Sequence, residues 1–166
     1  MYVSSQSTFH HCLMKYPNMQ PAASRLLLCL GLISLFAAQA PQPKSMAQTL
    51  RESRWKKRVL LVVAPTADQA DFKKQKALLA ANKAELAARN FLVLDVLYDQ
   101  LTQADQQFLA QKIGLQPPRF AAVLIGKDGG VKQKSAHPIA PADLFGTVDK
   151  MPMRRDEARR AKMDQQ

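Results

Sequence analysis

The run Val59-Leu60-Leu61-Val62-Val63-Ala64 has no polar position, so neither face of it suits water. Six apolar residues ending at Pro65 are too few for a buried helix and fit a strand covered on both faces, as in a sheet sandwiched between helices. A polar turn follows. A helical pattern then runs from about Asp71 to Arg89, with Phe72, Leu79 and Leu86 recurring every seven residues beside Leu78, and Gln75 on the same stripe. Phe91 to Leu97 (FLVLDVL) reads as a second buried strand. Thr102 and Asp105 make a capping-box-like start for a helix that turns Phe108, Leu109 and Ile113 inward and stops at Gly114.

Pro117-Pro118 interrupts the chain before a third strand, Phe120 to Gly126 (FAAVLIG). Lys127-Asp128-Gly129-Gly130 is a hairpin signal, because Asp-Gly adopts the positive dihedrals of a tight turn. It is not a phosphate-cradling loop, since no helix follows it. The fourth strand, Val131 to His137, places Lys132 and Lys134 where they protect a sheet edge. Pro141 opens a last helix with Leu144, Phe145, Val148 and Met151 on its buried face, and Pro152 ends it. Met153 to Gln166, with charge on all sides, reads as a charged tail in the form of a solvated, fraying helix. The expected fold is α/β and thioredoxin-like, a four-stranded mixed sheet (βαβαββα) flanked by helices. Its first two strands are parallel because a helix joins them, and its last two are antiparallel.

Ahead of this core, positions 1–47 hold no acidic residue, and Leu26 to Ala38 (LLLCLGLISLFAA) follows Arg25. An apolar run of about a dozen residues behind a positive charge is the pattern of a secretory signal and is short for a membrane span. The expected organisation is therefore a signal peptide at 1–47, with Met14 or Met19 as alternative starts, a domain at 48–152 and the tail at 153–166. Ser45-Met46-Ala47 is the preferred cleavage site over Ala38-Gln39-Ala40, which would leave Pro41 in the next position. The expected location is periplasmic or secreted.

Cleavage there removes Cys12, Cys29, His10 and His11, leaving His137 as the one histidine and no cysteine. Thiol chemistry, disulfides and Cys or Cys/His zinc sites are excluded for such a chain, and no cofactor or metal is expected. His137, next to Pro138, reads as a strand-end residue; Gln75 reads as a core polar group reaching a backbone amide. Asp68 and Asp71, an acid–base pair in principle, read as a helix cap and a solvated turn.

Arg54-Trp55-Lys56-Lys57-Arg58-Val59-Leu60, the run Leu124 to Lys132 (LIGKDGGVK), and Asp149-Lys150-Met151-Pro152-Met153-Arg154 with Glu157 resemble the bacterial DUDES-type (P-DUDES) domain of unknown function, family 4174, over roughly residues 50 to 158. The resemblance implies a thioredoxin-like fold and an extracellular setting, with no established activity. Where a thioredoxin carries its redox cysteines, this chain has Pro65-Thr66-Ala67-Asp68. Without a thiol, neither disulfide exchange nor peroxide reduction proceeds by the usual route. Pro118 resembles the cis-proline that precedes the third strand of that fold.

Strand direction makes one sharper expectation. The third strand should run antiparallel to the first, and the last helix should descend to the end where the first strand begins. Trp55, Arg58, Lys127, Asp128, Asp149, Arg154 and Glu157 should then meet at the pole opposite the redox position. They form either an ion-paired tie between the C-terminal segment and the sheet, with Arg58 or Arg154 paired to Asp149 or Glu157 and Trp55 packed on Met151, Pro152 or Met153, or a ligand site in which Arg and Lys hold an anion and Trp55 offers an aromatic face.

The expected function is an exported, non-catalytic, non-redox binding or structural module. Its partner would be an exported protein or an anionic envelope polymer. The alternative is a thiol-free enzyme using the Arg, Asp and Glu of the cluster. The formal net charge of +11 invites a nucleic-acid reading, but Lys15, Arg25 and Lys44 are the only charges of positions 1–47, so +8 lies beyond them. Residues 51–58 and 150–162 each carry a net +4, so the excess is confined to two segments flanking the core. Beyond position 47 stacking aromatics for bases are scarce, with only Trp55 and Tyr98 outside the phenylalanines of core patterns.

Overall fold

Alternation along β1 (Arg58–Ala64) builds the two layers of core in the computed structural model, which describes residues 44–116 and 118–164. Leu60, Val62 and Ala64 face one side with Phe72, Leu79, Leu86, Leu144 and Val148; Val59, Leu61 and Val63 face the other with Val96, Leu109 and Ile113. Every residue of β1 is buried, which is why its sequence lacks a polar face. Positions 1–43, with Cys12, Cys29, His10, His11 and most of the expected leader, lie outside the described residues. So does Pro117, and with it the peptide bond to Pro118.

The sheet has the order β2-β1-β3-β4. β2 (Phe91–Leu97) lies parallel to β1, β3 (Ala121–Ile125) antiparallel to it, and β4 (Val131–Ser135) antiparallel to β3 with a bulge at Leu124/Ile125. This is the thioredoxin-like arrangement, with helices on both faces. Gly129, at φ +82°, makes the hairpin turn, and the Asp128 carboxylate accepts the Gly130 amide at 3.1 Å.

Three elements depart from the expected outline. A helix α1 (Met46–Ser53) precedes β1, capped by Ser45, whose hydroxyl accepts the Gln48 amide. Its Met46 amide donates to Asp105 at 2.8 Å, and Met46 and Leu50 pack on the Val59 face. The expected cleavage point after Ala47 therefore falls inside α1. The helix expected over 71–89 is two, α2 (Ala70–Ala80) and α3 (Lys83–Ala88), with a break at Ala81-Asn82 where the Asn82 side chain bonds the Leu78 carbonyl. The helix from Thr102 begins as α4 (Gln103–Phe108), capped by Thr102, and continues as a π-helical turn, Leu109–Ile113, up to left-handed Gly114.

After α5 (Pro141–Asp149), the charged C-terminal tail, expected as a solvated helix, forms α6 (Pro152–Met163). No residue of α6 is buried, in keeping with its charge on all sides. It is nevertheless tied to the domain, because Arg154 and Glu157 reach back to the sheet end.

Candidate functional site

Arg58 opens β1 on the same face as Leu60, so its side chain enters the core instead of water. It is 1% exposed. Its Nη1 donates to the Arg89 carbonyl at 2.9 Å, and Nη1 and Nη2 hold the two oxygens of Glu157 at 3.1 and 3.2 Å. Its Nε has no hydrogen-bond partner. Lys127, at the start of the hairpin and also nearly buried, meets Glu157 Oε1 at 2.7 Å. Burial pushes the Glu157 carboxyl up, but the hydrogen bonds from Arg58 and Lys127 more than offset this and hold it below the usual carboxylate range.

A second carboxylate lies alongside. Asp149, the last residue of α5, takes a forked pair from Arg89 at 2.7 and 3.0 Å and a longer contact from Arg154 at 3.4 Å. The Arg89 guanidinium holds Asp149 below its ordinary value against the opposing effect of burial. Arg89 also pairs with Glu85 and sits over the Phe145 ring at 4.6 Å, while Arg154 bonds the Ala88 carbonyl at 3.0 Å. Arg58, Lys127, Asp149, Arg154 and Glu157 thus form one network at the pole where β1 begins.

Asp128 belongs to the hairpin instead. Lys132 pairs with it at 2.6 Å and holds its carboxyl below the usual carboxylate range, with the Gly130 amide assisting. Trp55 joins the pole through its backbone, since its amide donates to the Lys127 carbonyl at 2.6 Å. Its ring, expected either packed on Met151, Pro152 or Met153 or offered as an aromatic face, is 62% exposed, with the Arg54 guanidinium 5.6 Å from its centre. Trp55 sits at φ +64°, a left-handed conformation rare for a bulky residue; it swings the ring outward and marks local strain.

Arg89 was missed by sequence reasoning. It looked like the charged end of a helix, yet β2 runs parallel to β1, so the turn entering β2 must lie at the pole of Arg58. That signal was available from topology. The sequence reading also passed over Arg155, Arg159 and Lys162 as solvated charge. With Arg89, Arg154 and Asp149 they line an open groove of about 500 Å³ beside α6. A second, more apolar cleft of about 390 Å³ lies between the hairpin and the start of α6, lined by Arg58, Lys127, Met151, Pro152 and Met153 among others.

The remaining candidates are structural. Gln75 is fully buried, donates to the Ile139 carbonyl at 3.2 Å and accepts the Ile139 amide at 2.7 Å. The His137 amide and carbonyl close a turn on the Ser135 hydroxyl. At the redox position, Asp68 pairs with exposed Lys73, and the cap of α2 is supplied by Gln69, whose side chain accepts the Phe72 amide. Among the described residues no group of three or more His, Cys, Asp or Glu converges to hold a metal. Asp149 and Glu157 are both held ionised, which suits gripping cations more than passing protons at neutral pH.

No curated protein matches the chain. Among solved structures it is similar to the reduced 2-Cys peroxiredoxin of Plasmodium vivax, at 17% identity and a TM-score of 0.49, over 64% of this chain and 84% of that one. The family described as Domain of unknown function (DUF4174) matches residues 49–157, well over half of the sequence, and its span takes in the end of α1 from Thr49, the whole sheet and α6 as far as Glu157. The chain belongs to that family.

Proposed function

We propose that this protein is an exported, non-redox binding module that holds an anionic polymer of the cell envelope on the outer face of α6. The observation that carries this is the groove beside α6. Arg155, Arg159 and Lys162 stand at spacings of four and three residues, so they line one face of the helix over about 10 Å. Asp149, the one carboxylate lining the groove, is already gripped by Arg89. A row of exposed cations matches a chain of repeating acidic groups better than it matches one small anion, and binding through it releases counterions. Export is supported by Arg25 with the apolar run Leu26 to Ala38, and the lack of redox chemistry by Pro65-Thr66-Ala67-Asp68 at the thiol position of the fold.

The test is binding to immobilised alginate and dextran sulfate at several salt concentrations, for the protein and for a triple variant, Arg155→Glu, Arg159→Glu and Lys162→Glu. The expected result is salt-dependent binding that falls at least tenfold in the variant. Equal binding by the variant overturns the assignment. Tighter, steeper binding to duplex DNA would replace the polymer with nucleic acid.

A further inference from the structure

The geometry points to a second site, independent of the α6 groove: the cleft between the β3–β4 hairpin and the start of α6 takes a small carboxylate carried on a short apolar body. The charges at its base do not balance. Arg58 is 1% exposed and the Lys127 side chain 9%, and these two buried cations share the single carboxylate of Glu157. The neighbouring carboxylates are committed elsewhere, Asp128 to Lys132 and Asp149 to Arg89. One unit of positive charge is left in a largely dehydrated place, where an uncompensated ion is strongly disfavoured.

The donors do not balance either. Arg58 Nε is buried without an acceptor, and an unpaired buried donor of this kind calls for an explanation. Lys127 has three N–H bonds to offer, of which Glu157 Oε1 takes one. A single incoming carboxylate, accepting the N–H bonds that Lys127 has left over, would supply the missing charge and the acceptor that Lys127 lacks. A dianion such as phosphate would overshoot the charge.

The walls set the rest of the ligand. Met151, Pro152 and Met153 line one side, and thioether side chains adapt to an apolar guest. At about 390 Å³ the cleft sits at the small end of ligand pockets, enough for a short chain or one ring.

The experiment titrates the protein, by calorimetry, with hexanoate, acetate, hexanol and inorganic phosphate. Hexanoate is expected to bind one to one, at least tenfold tighter than each of the others. Lys127→Met removes the excess charge while keeping the volume, and should weaken hexanoate at least tenfold without lowering the melting temperature by more than a few degrees. Methyl-labelled methionine should show the Met151 and Met153 resonances shifting with hexanoate. Equal affinity for hexanoate and acetate, for hexanoate and hexanol, or for wild type and Lys127→Met overturns the site, as do unmoved methyl resonances. The Arg155, Arg159 and Lys162 reversal separates the two sites: hexanoate binding should survive it, and loss there would assign the carboxylate to the groove instead.

Discussion

Of the three buried polar residues among those described, Ser53, Arg58 and Gln75, the two long ones are satisfied differently. Gln75, at the junction of α2 with the segment entering α5, uses its amide nitrogen and oxygen on the carbonyl and amide of one residue, Ile139. Arg58, at the junction of β1 with α6, has a carbonyl and a carboxylate for its two terminal nitrogens and nothing for Nε. The first is what a structural polar group looks like when a fold is its whole purpose. The second holds more charge and more donors than the chain itself answers, and that surplus separates a site from a staple.

The comparison breaks most visibly at Gln75. Gln75→Leu leaves two buried backbone groups of Ile139 without partners, at roughly 1–3 kcal/mol each, for a total of about 4 kcal/mol. Urea unfolding should show this as a lower midpoint with an unchanged slope. A loss under about 1 kcal/mol would mean that water replaces the side chain and that Gln75 is no staple.

At the other junction, Glu157→Gln removes the anion that Arg58 and Lys127 share. The cost should be about 3 kcal/mol, at the low end for a broken buried pair because Glu157 is a quarter exposed. Adding Lys127→Met should recover part of it, since one of the two stranded cations is gone. If the double variant is no more stable than the single, Lys127 is not part of the charge surplus.

Much of this fold was legible in the sequence, for a simple reason. β1 and β3 are apolar at nearly every position, and Asp128-Gly129 can hardly be anything but a turn, so strand number and order followed. What escaped lay where local chemistry is silent. In Ala80-Ala81-Asn82-Lys83-Ala84 only Asn82 is a weak helix former, and the break between α2 and α3 falls there, too slight a local signal to read inside a helical pattern. α1 has only Met46 and Leu50 to mark its buried side, beside a leader-like stretch that claimed them. The polar convergence and the pairing of Arg58 with Glu157 and of Arg154 with Asp149 were readable, but the main partner of Asp149, Arg89, was not, because side-chain pairing is decided by distances that spacing does not contain.

Acid tests the pole with a smaller effect. Glu157, Asp149 and Asp128 all titrate below the ordinary carboxylate range in the folded protein. In the window near pH 4 the unfolded chain therefore binds more protons than the folded one, and stability rises with pH there. Their contribution is complete above the ordinary values and disappears as pH falls through the lowered ones. Partial exposure of all three screens it, so the melting temperature should drop by roughly 3–6 °C between pH 6 and pH 3. Glu157→Gln should flatten that decline. An identical slope in the variant would place the acid sensitivity elsewhere.

The smallest effect concerns where the folded chain begins. Ser45 caps α1 and Met46 donates its amide to Asp105, whose carboxylate also accepts from the Thr102 hydroxyl at 2.9 Å. The start of α1 is thereby fastened to the start of α4, 59 residues away in sequence. Ser45→Ala should cost about 1 kcal/mol, the usual value for a lost cap. A chain starting at Gln48, as cleavage after Ala47 would leave it, loses the cap and the bond to Asp105 together and should lose more. Processing at Ala38-Gln39-Ala40 keeps both. Terminal sequencing of the exported protein, with thermal melts of chains beginning at Pro41 and at Gln48, separates the two sites. Equal melting temperatures would show that α1 begins its work after Ala47, and the expected cleavage there would stand.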